Sequence, residues 1–147
     1  MSFFNAMNIS ASGLTAQRLR MDVISQNIAN VNTTRTESGE PYRRKTVLFE
    51  EKKDYVSFDS ILKNQINSFN GSGVRVTDIV EDDSDFQLVY DPEHPDADEN
   101  GYVRMPNVNI IEEMVNMISA NRSYEANVTA MNTNKSMALK ALEIGNY

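Results

Sequence analysis

The chain has 147 residues, a net charge of −7 and no cysteine, a size that holds one domain or two small ones and excludes a large enzyme. Without cysteine it has no disulfide framework, no thiolate zinc site and no cysteine nucleophile. The acidic balance argues against nucleic-acid binding, because such binding draws its affinity from clustered Lys and Arg. No stretch approaches the roughly 18 apolar residues of a membrane span. The first 20 residues lack the pattern of a cleaved secretory signal, so we expect neither membrane insertion nor signal cleavage.

Charge and proline divide the chain into three segments. Residues 1–33 sum to +1 and residues 107–147 to −1, whereas residues 34–106 carry −7 and all four prolines. This division predicts an α+β fold with an N-terminal helical arm (1–33), a small β-rich acidic middle region (34–106) and a C-terminal helical arm (107–147). The two arms are expected to pair as a coiled coil and so to form one domain.

Apolar residues of the first arm recur at alternating steps of four and three, which draws one narrow stripe along a helix. The stripe runs through Phe3, Met7, Ser10, Leu14, Gln17, Met21, Ile24, Ile28 and Val31. Polar residues lie on the opposite side, so a single face requires a partner helix. Asn8 or Ser10 is predicted to cap the helix start, and residues 32–34 are predicted to end the helix.

The second arm repeats this pattern with a weaker stripe. It runs through Ile110, Met114, Met117, Asn121, Tyr124, Val128, Met131, Lys135, Ala138 and Leu142. The polar residues Asn121 and Lys135 interrupt the stripe and are candidate register markers. Ile111 and Ile118 widen the apolar face beside it, so this helix is expected to touch more than one neighbour. Gly145 is predicted to end it.

Two arms of this length cannot cover both stripes by themselves. A helix of about 30 residues is roughly 45 Å long, and a lone pair of such helices leaves long flanks of Ile, Met and Tyr in water. Other subunits are therefore expected to cover the arms. The residues assigned to this assembly interface are Leu14, Met21, Ile24, Ile28, Val31, Ile110, Met114, Met117, Ile118, Asn121, Tyr124, Val128, Met131 and Leu142.

The acidic middle region alternates turn residues with short strands. The predicted strands cover Arg43–Phe49, Val74–Val80, Phe86–Tyr90 and Tyr102–Met105. Residues 58–69 have helical spacing instead. The basic run at the start of the first strand could bind phosphate, but the neighbouring Glu50 and Glu51 favour a solvated strand edge or a polar interface.

Residues 96–101 have part of the spacing of a calcium-binding loop. Asp96, Asp98, Asn100 and Gly101 match its positions one, three, five and six. Position twelve is Asn107 instead of a bidentate Glu, and nearby prolines leave no room for flanking helices, so an Asx-rich turn is favoured. The alternative function kept open is a calcium-responsive binding module on a coiled-coil stalk.

His94 is the only histidine and therefore the only imidazole available for acid–base chemistry. Asp91 or Asp96 could orient it in a hydrolase. The chain has no Ser or Cys motif for it to activate and no second His to complete a metal set. We therefore expect no enzyme activity, no bound metal and no cofactor.

Motifs in both arms resemble the bacterial flagellar rod and hook proteins. The N-terminal motif spans Ala11–Arg18 and Ile24–Thr34. The middle region and second arm are similar to the proximal rod members of that family at Pro41–Lys45, Leu88–Pro92, His94–Asp98, Gly101–Val103, Pro106–Asn109, Glu113–Val115 and Ser119–Asn127. The family-motif residues are Asn27, Ala29, Asn30, Asp91, Pro92, Asp96, Asp98, Gly101, Tyr102, Pro106 and Asn107. Residues 33–35 depart from the Thr-x-Gly-Tyr or Phe of other axial proteins, which favours a proximal rod member.

The resemblance implies a structural subunit of the flagellar basal-body rod, the drive shaft that transmits torque from the rotor to hook and filament. It implies export by the flagellar type III apparatus without a cleaved signal, and a place outside the cytoplasmic membrane in the periplasmic space. The terminal helices would pack into a hollow helical tube, with the middle region outside it. The implied partners are other copies of the chain, other proximal and distal rod proteins and the rotor-ring adaptor.

Overall fold

The computed structural model describes residues 3–52 and 72–145. In chain order these form helix α1 (Phe3–Ala29), strands β1 (Lys45–Glu51), β2 (Val74–Glu81), β3 (Gln87–Tyr90) and β4 (Tyr102–Met105), and helix α2 (Ile110–Ile144). The predicted α+β class is confirmed, with two long terminal helices around a small β-rich middle. The four predicted strands are confirmed with slightly shifted ends. The helix predicted over residues 58–69 lies outside the described residues.

Helix α1 differs from the prediction at both ends. It begins at Phe3, so the predicted caps at Asn8 and Ser10 are wrong because both residues lie inside the helix. It ends at Ala29, and Val31 lies in the turn that follows. The apolar stripe therefore continues past the last helical residue into the turn.

Helix α2 has the local signals of a well-formed start. The side-chain oxygen of Asn109 accepts hydrogen bonds from the backbone N–H groups of Ile111 and Glu112, at 3.0 and 3.5 Å. These bonds satisfy donors that have no partner inside the helix. Glu112 and Glu113 place negative charge in the first turn, where the helix dipole favours it. The predicted stop at Gly145 is confirmed.

The two helices pack against each other in antiparallel orientation. The side chain of Asn27 bonds that of Glu113, and Gly13 lies against the side chain of Asn127. In both pairs the residue numbers add to 140, so the first residue of α1 is level with Met137. The predicted pairing of the arms is confirmed, and the last turns of α2 extend beyond α1.

The face of α2 that contacts α1 has heptad spacing. Its buried residues are Glu113 and Ala120, and Met117, Tyr124 and Met131 are half-buried beside them. With the half-buried Asn127 between Tyr124 and Met131, steps of four and three connect these positions, as in a coiled-coil seam. The period read from the sequence therefore holds for the contact face.

Several positions of the predicted second stripe are not buried against α1. Ile110, Met114, Asn121 and Leu142 are exposed, so their assignment to the seam between the two arms is wrong. A helix turns about 100° per residue, and a shift of one residue moves Asn121 to the surface, where it donates to Glu125 at 3.2 Å. Lys135 is exposed as well. Leu142 lies beyond the start of α1.

The strands form two antiparallel pairs, β1 with β2 and β3 with β4. The first pair has an irregularity between Leu48 and Phe49 and packs against α1. Ser12 on α1 accepts a hydrogen bond from the N–H of Val74 at 3.0 Å. Ala16 is buried beside this contact. Helix α1 therefore lies between α2 and the β1–β2 pair.

The hydrophobic core of the described residues is small. Its buried members are Ala16, Val23, Ile24, Tyr42, Val47, Val103, Val108 and Ala120. Most are Ala or Val, so each contributes little buried apolar area. No helix in residues 3–52 and 72–145 is long and apolar enough to cross a membrane.

Candidate assembly site

A cluster of polar side chains joins the end of α1, the start of β1 and the start of α2. We call it the polar hub, and its members are Asn27, Tyr42, Arg44, Asp82, Asn107 and Glu113. The side chains of Asn27 and Glu113 are each only 1% exposed. Buried polar groups are tolerated only when hydrogen bonds replace the lost water, so the partners of these two residues decide whether the hub is stabilising.

Asn27 uses the full hydrogen-bonding capacity of its amide. The amide nitrogen donates to the carbonyl oxygen of Lys45 and to a carboxylate oxygen of Glu113, both at 2.8 Å. The amide oxygen accepts from the N–H of Lys45 and the hydroxyl of Tyr42, both at 2.9 Å. All four hydrogen-bonding positions of the amide are therefore filled. Asn27 bonds the backbone of Lys45, the first residue of β1, as an adjacent strand would, and so connects it to α1 and α2.

The buried carboxylate of Glu113 is balanced by Arg44. Two N–H groups of the guanidinium approach one carboxylate oxygen at 2.8 and 2.9 Å. Arg44 also lies 3.4 Å from Asp82 and 3.7 Å from Glu112. A buried charge costs several kcal/mol unless it is paired and hydrogen-bonded, and Glu113 has both an ion pair and the Asn27 amide. The predicted polar interface at the basic run is thus formed by Arg44 within the chain.

Asn107 connects the hub to the loop that follows β2. Its side-chain oxygen accepts from the N–H of Arg44 at 2.8 Å. Its amide nitrogen donates to the carbonyl of Asp82 and the hydroxyl of Ser84, both at 2.9 Å. These bonds fix the chain just before α2 begins, so the direction of α2 is set at its first turn.

Three members of the hub have pKa values that differ from the ordinary ones. Burial raises the pKa of Tyr42 above its ordinary 10.0, and nearby carboxylates add to the shift. Burial alone lowers the pKa of Arg44, but the hydrogen bond and charge of Glu113 outweigh it and raise that pKa. Hydrogen bonds from Ser84, the backbone N–H first, lower the pKa of Asp82 below 3.8. At neutral pH the phenol of Tyr42 is therefore neutral, and Arg44 and Asp82 are charged.

Away from the contact with α1, α2 exposes a group of apolar residues. We call Ile111, Met114, Val115 and Ile118 the outer face, and their spacing places them together on the side of the helix opposite Glu113. Their exposed fractions are 74, 55, 61 and 55%. Soluble monomers rarely leave such a contiguous apolar patch in water. The hub anchors the same two turns, so the outer face is a candidate assembly site on a fixed support.

Comparison with known proteins identifies the family. The family profile described as "Flagella basal body rod protein" matches residues 7–35, and "Flagellar basal body rod FlgEFG protein C-terminal" matches residues 99–144. The flagellar basal-body rod protein FlgC of Bacillus subtilis is 56% identical over 99% of both chains. Those of Borreliella burgdorferi and Escherichia coli O157:H7 are 49% and 43% identical over 98% and 99% of both chains. The chain belongs to the FlgC family.

Membership in the FlgC family makes the chain a structural subunit of the flagellar basal-body rod. The resemblance read from the sequence is therefore confirmed. The two matched segments contain nearly all of α1 and α2, and three hub residues, Asn27, Asn107 and Glu113, lie within them.

The residues predicted for the assembly interface fall into three groups. Ile24 is buried inside the chain. Half-buried residues are Leu14, Met21, Ile28, Val31, Met117, Tyr124, Val128 and Met131. Exposed residues are Ile110, Met114, Ile118, Asn121 and Leu142. The exposed group is free to contact another subunit of a FlgC-family rod, whereas the buried one acts inside the chain.

The calcium-like spacing forms a turn with its own hydrogen bonds. A carboxylate oxygen of Asp98 accepts from the N–H groups of Asn100 and Tyr102, both at 2.9 Å. Asp96 accepts a hydrogen bond from the hydroxyl of Thr34 at 2.8 Å. In residues 3–52 and 72–145 no group of three or more acidic or His side chains could hold a metal ion. Nothing here favours the calcium hypothesis, and the predicted Asx-rich turn accounts for the spacing.

Other family-motif residues hold local structure. Ala29 is the last residue of α1, and the Asn30 side chain donates to the carbonyl of Gln26 at 2.8 Å. Asp91 accepts a hydrogen bond from the N–H of Glu93. Gly101 and Pro106 are buried, and Pro92 is exposed. These residues shape turns and ends of elements in a FlgC-family chain.

The polar hub is not visible in the apolar periodicity of the sequence, because periodicity weighs only apolar residues. Asn27 and Asn107 appear in the sequence as family-motif residues, and Glu113 only within the motif Glu113–Val115. The second arm does contain one signal. Glu113 lies four residues before the stripe residue Met117, and Ala120 lies three residues after it, so the three positions have heptad spacing. A charged residue at such a position requires a partner, but Arg44 is one of nine Lys and Arg residues between the arms, so the sequence does not identify which of them pairs with Glu113.

Proposed function

We propose that the chain joins the rod through the outer face of α2 and that torque passes through contacts of this kind between neighbouring subunits. The observation that carries the proposal is the exposed apolar patch on a helix whose first turns are fixed by the polar hub. A contact that transmits force needs a rigid support, and the Glu113–Arg44 pair provides one beneath the outer face. The heptad spacing of the helix contact supports coiled-coil packing of the two arms.

The proposed partners are other copies of the chain, other proximal and distal rod proteins and the rotor-ring adaptor. An open helical assembly requires heterologous contacts, in which two different surfaces of each subunit meet. The outer face and the last turns of α2, which extend beyond α1, are two such surfaces. In this proposal the arms, residues 1–33 and 107–147, form the inner helical domain, and residues 34–106 lie outside it.

Export is the remaining part of the proposal. The chain would pass the flagellar type III apparatus unfolded, without a cleaved signal, and reach the rod outside the cytoplasmic membrane in the periplasmic space. A cysteine-free chain with a small core of Ala and Val supports this route, because it crosses between redox compartments unchanged and unfolds at little cost. Intact mass of the chain recovered from rods tests it: a mass short of the full sequence by a leader peptide contradicts export without cleavage.

The assembly surface is tested by placing a charge on the outer face. Ile118→Glu should leave the isolated chain as stable as before, since Ile118 is exposed, and should lower the number of rods by roughly tenfold or more, because the buried charge has no partner. Ser119→Glu on the same turn is the matched control and should assemble normally. Rods are counted in electron micrographs of purified basal bodies. Normal assembly of Ile118→Glu would remove the outer face from the interface.

A further inference from the structure

Among residues 3–52 and 72–145, strand β3 is an edge strand with no strand on its outer side. In the described part of the chain its only strand neighbour is β4, and all four of its residues are exposed. The N–H of Asp91 donates to the carbonyl of Gly101 at 2.9 Å, which fixes the alternation of the antiparallel ladder. Leu88 and Tyr90 therefore point their backbone N–H and C=O groups away from β4. No described residue bonds these groups.

The side chains of the same strand are apolar and in water. Leu88 and Tyr90 are 66 and 65% exposed, and the ring of Tyr90 meets that of Tyr102 edge-on, with centroids 5.3 Å apart. Proteins protect open edges by keeping them short or with charged side chains, Pro, bulges or covering elements. The strand Gln87–Tyr90 is short, but it contains no charged residue, no Pro and no bulge, and no described element covers it. In an assembly subunit such an edge can pair with another strand.

The charges around β3 favour one kind of partner strand. Asp83 and Asp85 precede the strand, and Asp91 and Glu93 follow it, all exposed. None of the four forms an ion pair with a described residue. If two copies of β3 paired in antiparallel, Asp85 of one would approach Asp91 of the other, and like charges oppose each other across strands. A strand with basic residues at both ends meets complementary charge instead.

We propose that β3 is the docking edge for an extended segment of another rod subunit, a strand flanked by Lys or Arg on both sides. The segment would add to the β3–β4 pair through the outward backbone groups of Leu88 and Tyr90, with its apolar side chains against theirs. This inference rests on the proposed function, because the partner is a rod subunit. It uses a different surface from the outer face of α2, so either can fail while the other stands.

The first test maps what lies against β3 in assembled basal bodies. A photo-crosslinking amino acid replaces Leu88 in the full chain, the cells are irradiated, and the crosslinked peptide is identified by mass spectrometry. The expected product joins Leu88 to an extended segment with Lys or Arg at both ends. A crosslink to β3 of a second copy, to a helical segment, or to nothing in normally built rods overturns the proposal. The last outcome leaves the proposed function intact.

The second test separates the backbone from the side chain. Leu88→Pro removes one outward N–H and leaves the β3–β4 ladder, because that N–H does not donate to β4. Leu88→Thr is the matched control that keeps the N–H. Beyond the effect of Leu88→Thr, Leu88→Pro should lower rod number roughly two- to tenfold, the loss expected for one hydrogen bond. Equal rod numbers for the two variants, with equal thermal stability, overturn the proposal.

A charge variant keeps the proposal testable if the proline unfolds the chain. Neutralising the four flanking carboxylates leaves the backbone of β3 untouched. The substitutions are Asp83→Asn, Asp85→Asn, Asp91→Asn and Glu93→Gln. The fourfold variant should reduce the Leu88 crosslink to the basic segment, and unchanged crosslinking would overturn the charge argument.

Discussion

Asn27, two residues before the end of α1, and Glu113, in the first turn of α2, are joined by a 2.8 Å hydrogen bond although 86 positions separate them. The same amide holds the first residue of β1 through both its N–H and its carbonyl. One side chain therefore fixes three elements at a single point. Because the apolar core consists mostly of Ala and Val, this polar contact determines the geometry at one end of the helix pair.

Removing the hub carboxylate should strongly destabilise the chain. Glu113→Ala leaves Arg44 partly buried without its main partner and Asn27 with an unfilled donor, and breaking a buried ion pair costs roughly 3–5 kcal/mol. Glu112→Ala is the matched control, since its carboxylate is exposed and 3.7 Å from Arg44, and should change stability by about 0.5 kcal/mol or less. Urea unfolding of both variants measures the difference. Equal losses would show that the hub is not a stabilising centre.

The contact between Gly13 on α1 and Asn127 on α2 should show an energetic coupling. A Cβ at Gly13 would lie 3.0–3.2 Å from the Asn127 side chain, so steric crowding should cancel the gain of about 1 kcal/mol that Ala has over Gly in a helix. Gly13→Ala should be nearly neutral alone and stabilising by about 1 kcal/mol when combined with Asn127→Ala. A double-mutant cycle from thermal or urea unfolding gives the coupling. Additive effects would mean that the helices do not meet at this pair.

The free energy of unfolding should decrease in acid and in alkali because two hub residues, Asp82 and Tyr42, change their protonation there. The pKa of Asp82 is lowered below 3.8, so its contribution is complete above about pH 5 and is lost as pH falls through its folded-state pKa. The pKa of Tyr42 is raised above 10.0, so its contribution is complete below that pH and is lost as pH rises through the folded-state value. Asp82→Asn should therefore reduce the pH dependence of the free energy of unfolding in acid, and Tyr42→Phe should reduce it in alkali. Unfolding free energy measured across pH 2–11 checks both, and a variant with an unchanged pH dependence in its range contradicts its assignment.

The helical arms, the strands and the family motifs could be predicted from the sequence because each depends on local spacing. Steps of four and three predicted both helices, and alternation around Gly and Pro predicted the strands. The predicted stripe of the second arm shares Met117, Tyr124 and Met131 with the contact face. It has Met114 and Asn121 where the structure buries Glu113 and Ala120, because apolar residues occur on two sides of α2. Met114 and Ile118 look like core residues in the sequence, yet they belong to the exposed outer face.

The hub and the open edge of β3 could not be derived in this way because both depend on residues that are distant in sequence. Asn27, Arg44 and Glu113 come from three segments, and nothing in the spacing of one segment indicates the other two. The edge of β3 depends on which strands pair, and the sequence shows strands without their partners. Tertiary contacts decide both features.

The isolated chain should be protected against amide exchange at one end of the helix pair and open at the other. Within α2 the buried residues, Glu113 and Ala120, lie in the first third. Farther along, side chains such as Thr129 and Thr133 bond carbonyls one turn earlier in their own helix, which adds no contact to α1. The last turns extend past the start of α1. Few buried contacts mean a low free energy of local opening.

Hydrogen exchange followed by mass spectrometry on a verified monomer should therefore show slow exchange around Glu113–Ala120 and fast exchange after Thr133. Glu113→Ala is the control and should remove the slow region, because it removes the hub that closes this end. The open end is where partner subunits would complete the helix pair during assembly, so exchange there should slow in intact rods. Uniform protection along α2 in the monomer would show that the helix pair is complete before assembly and that its open end has no part in it.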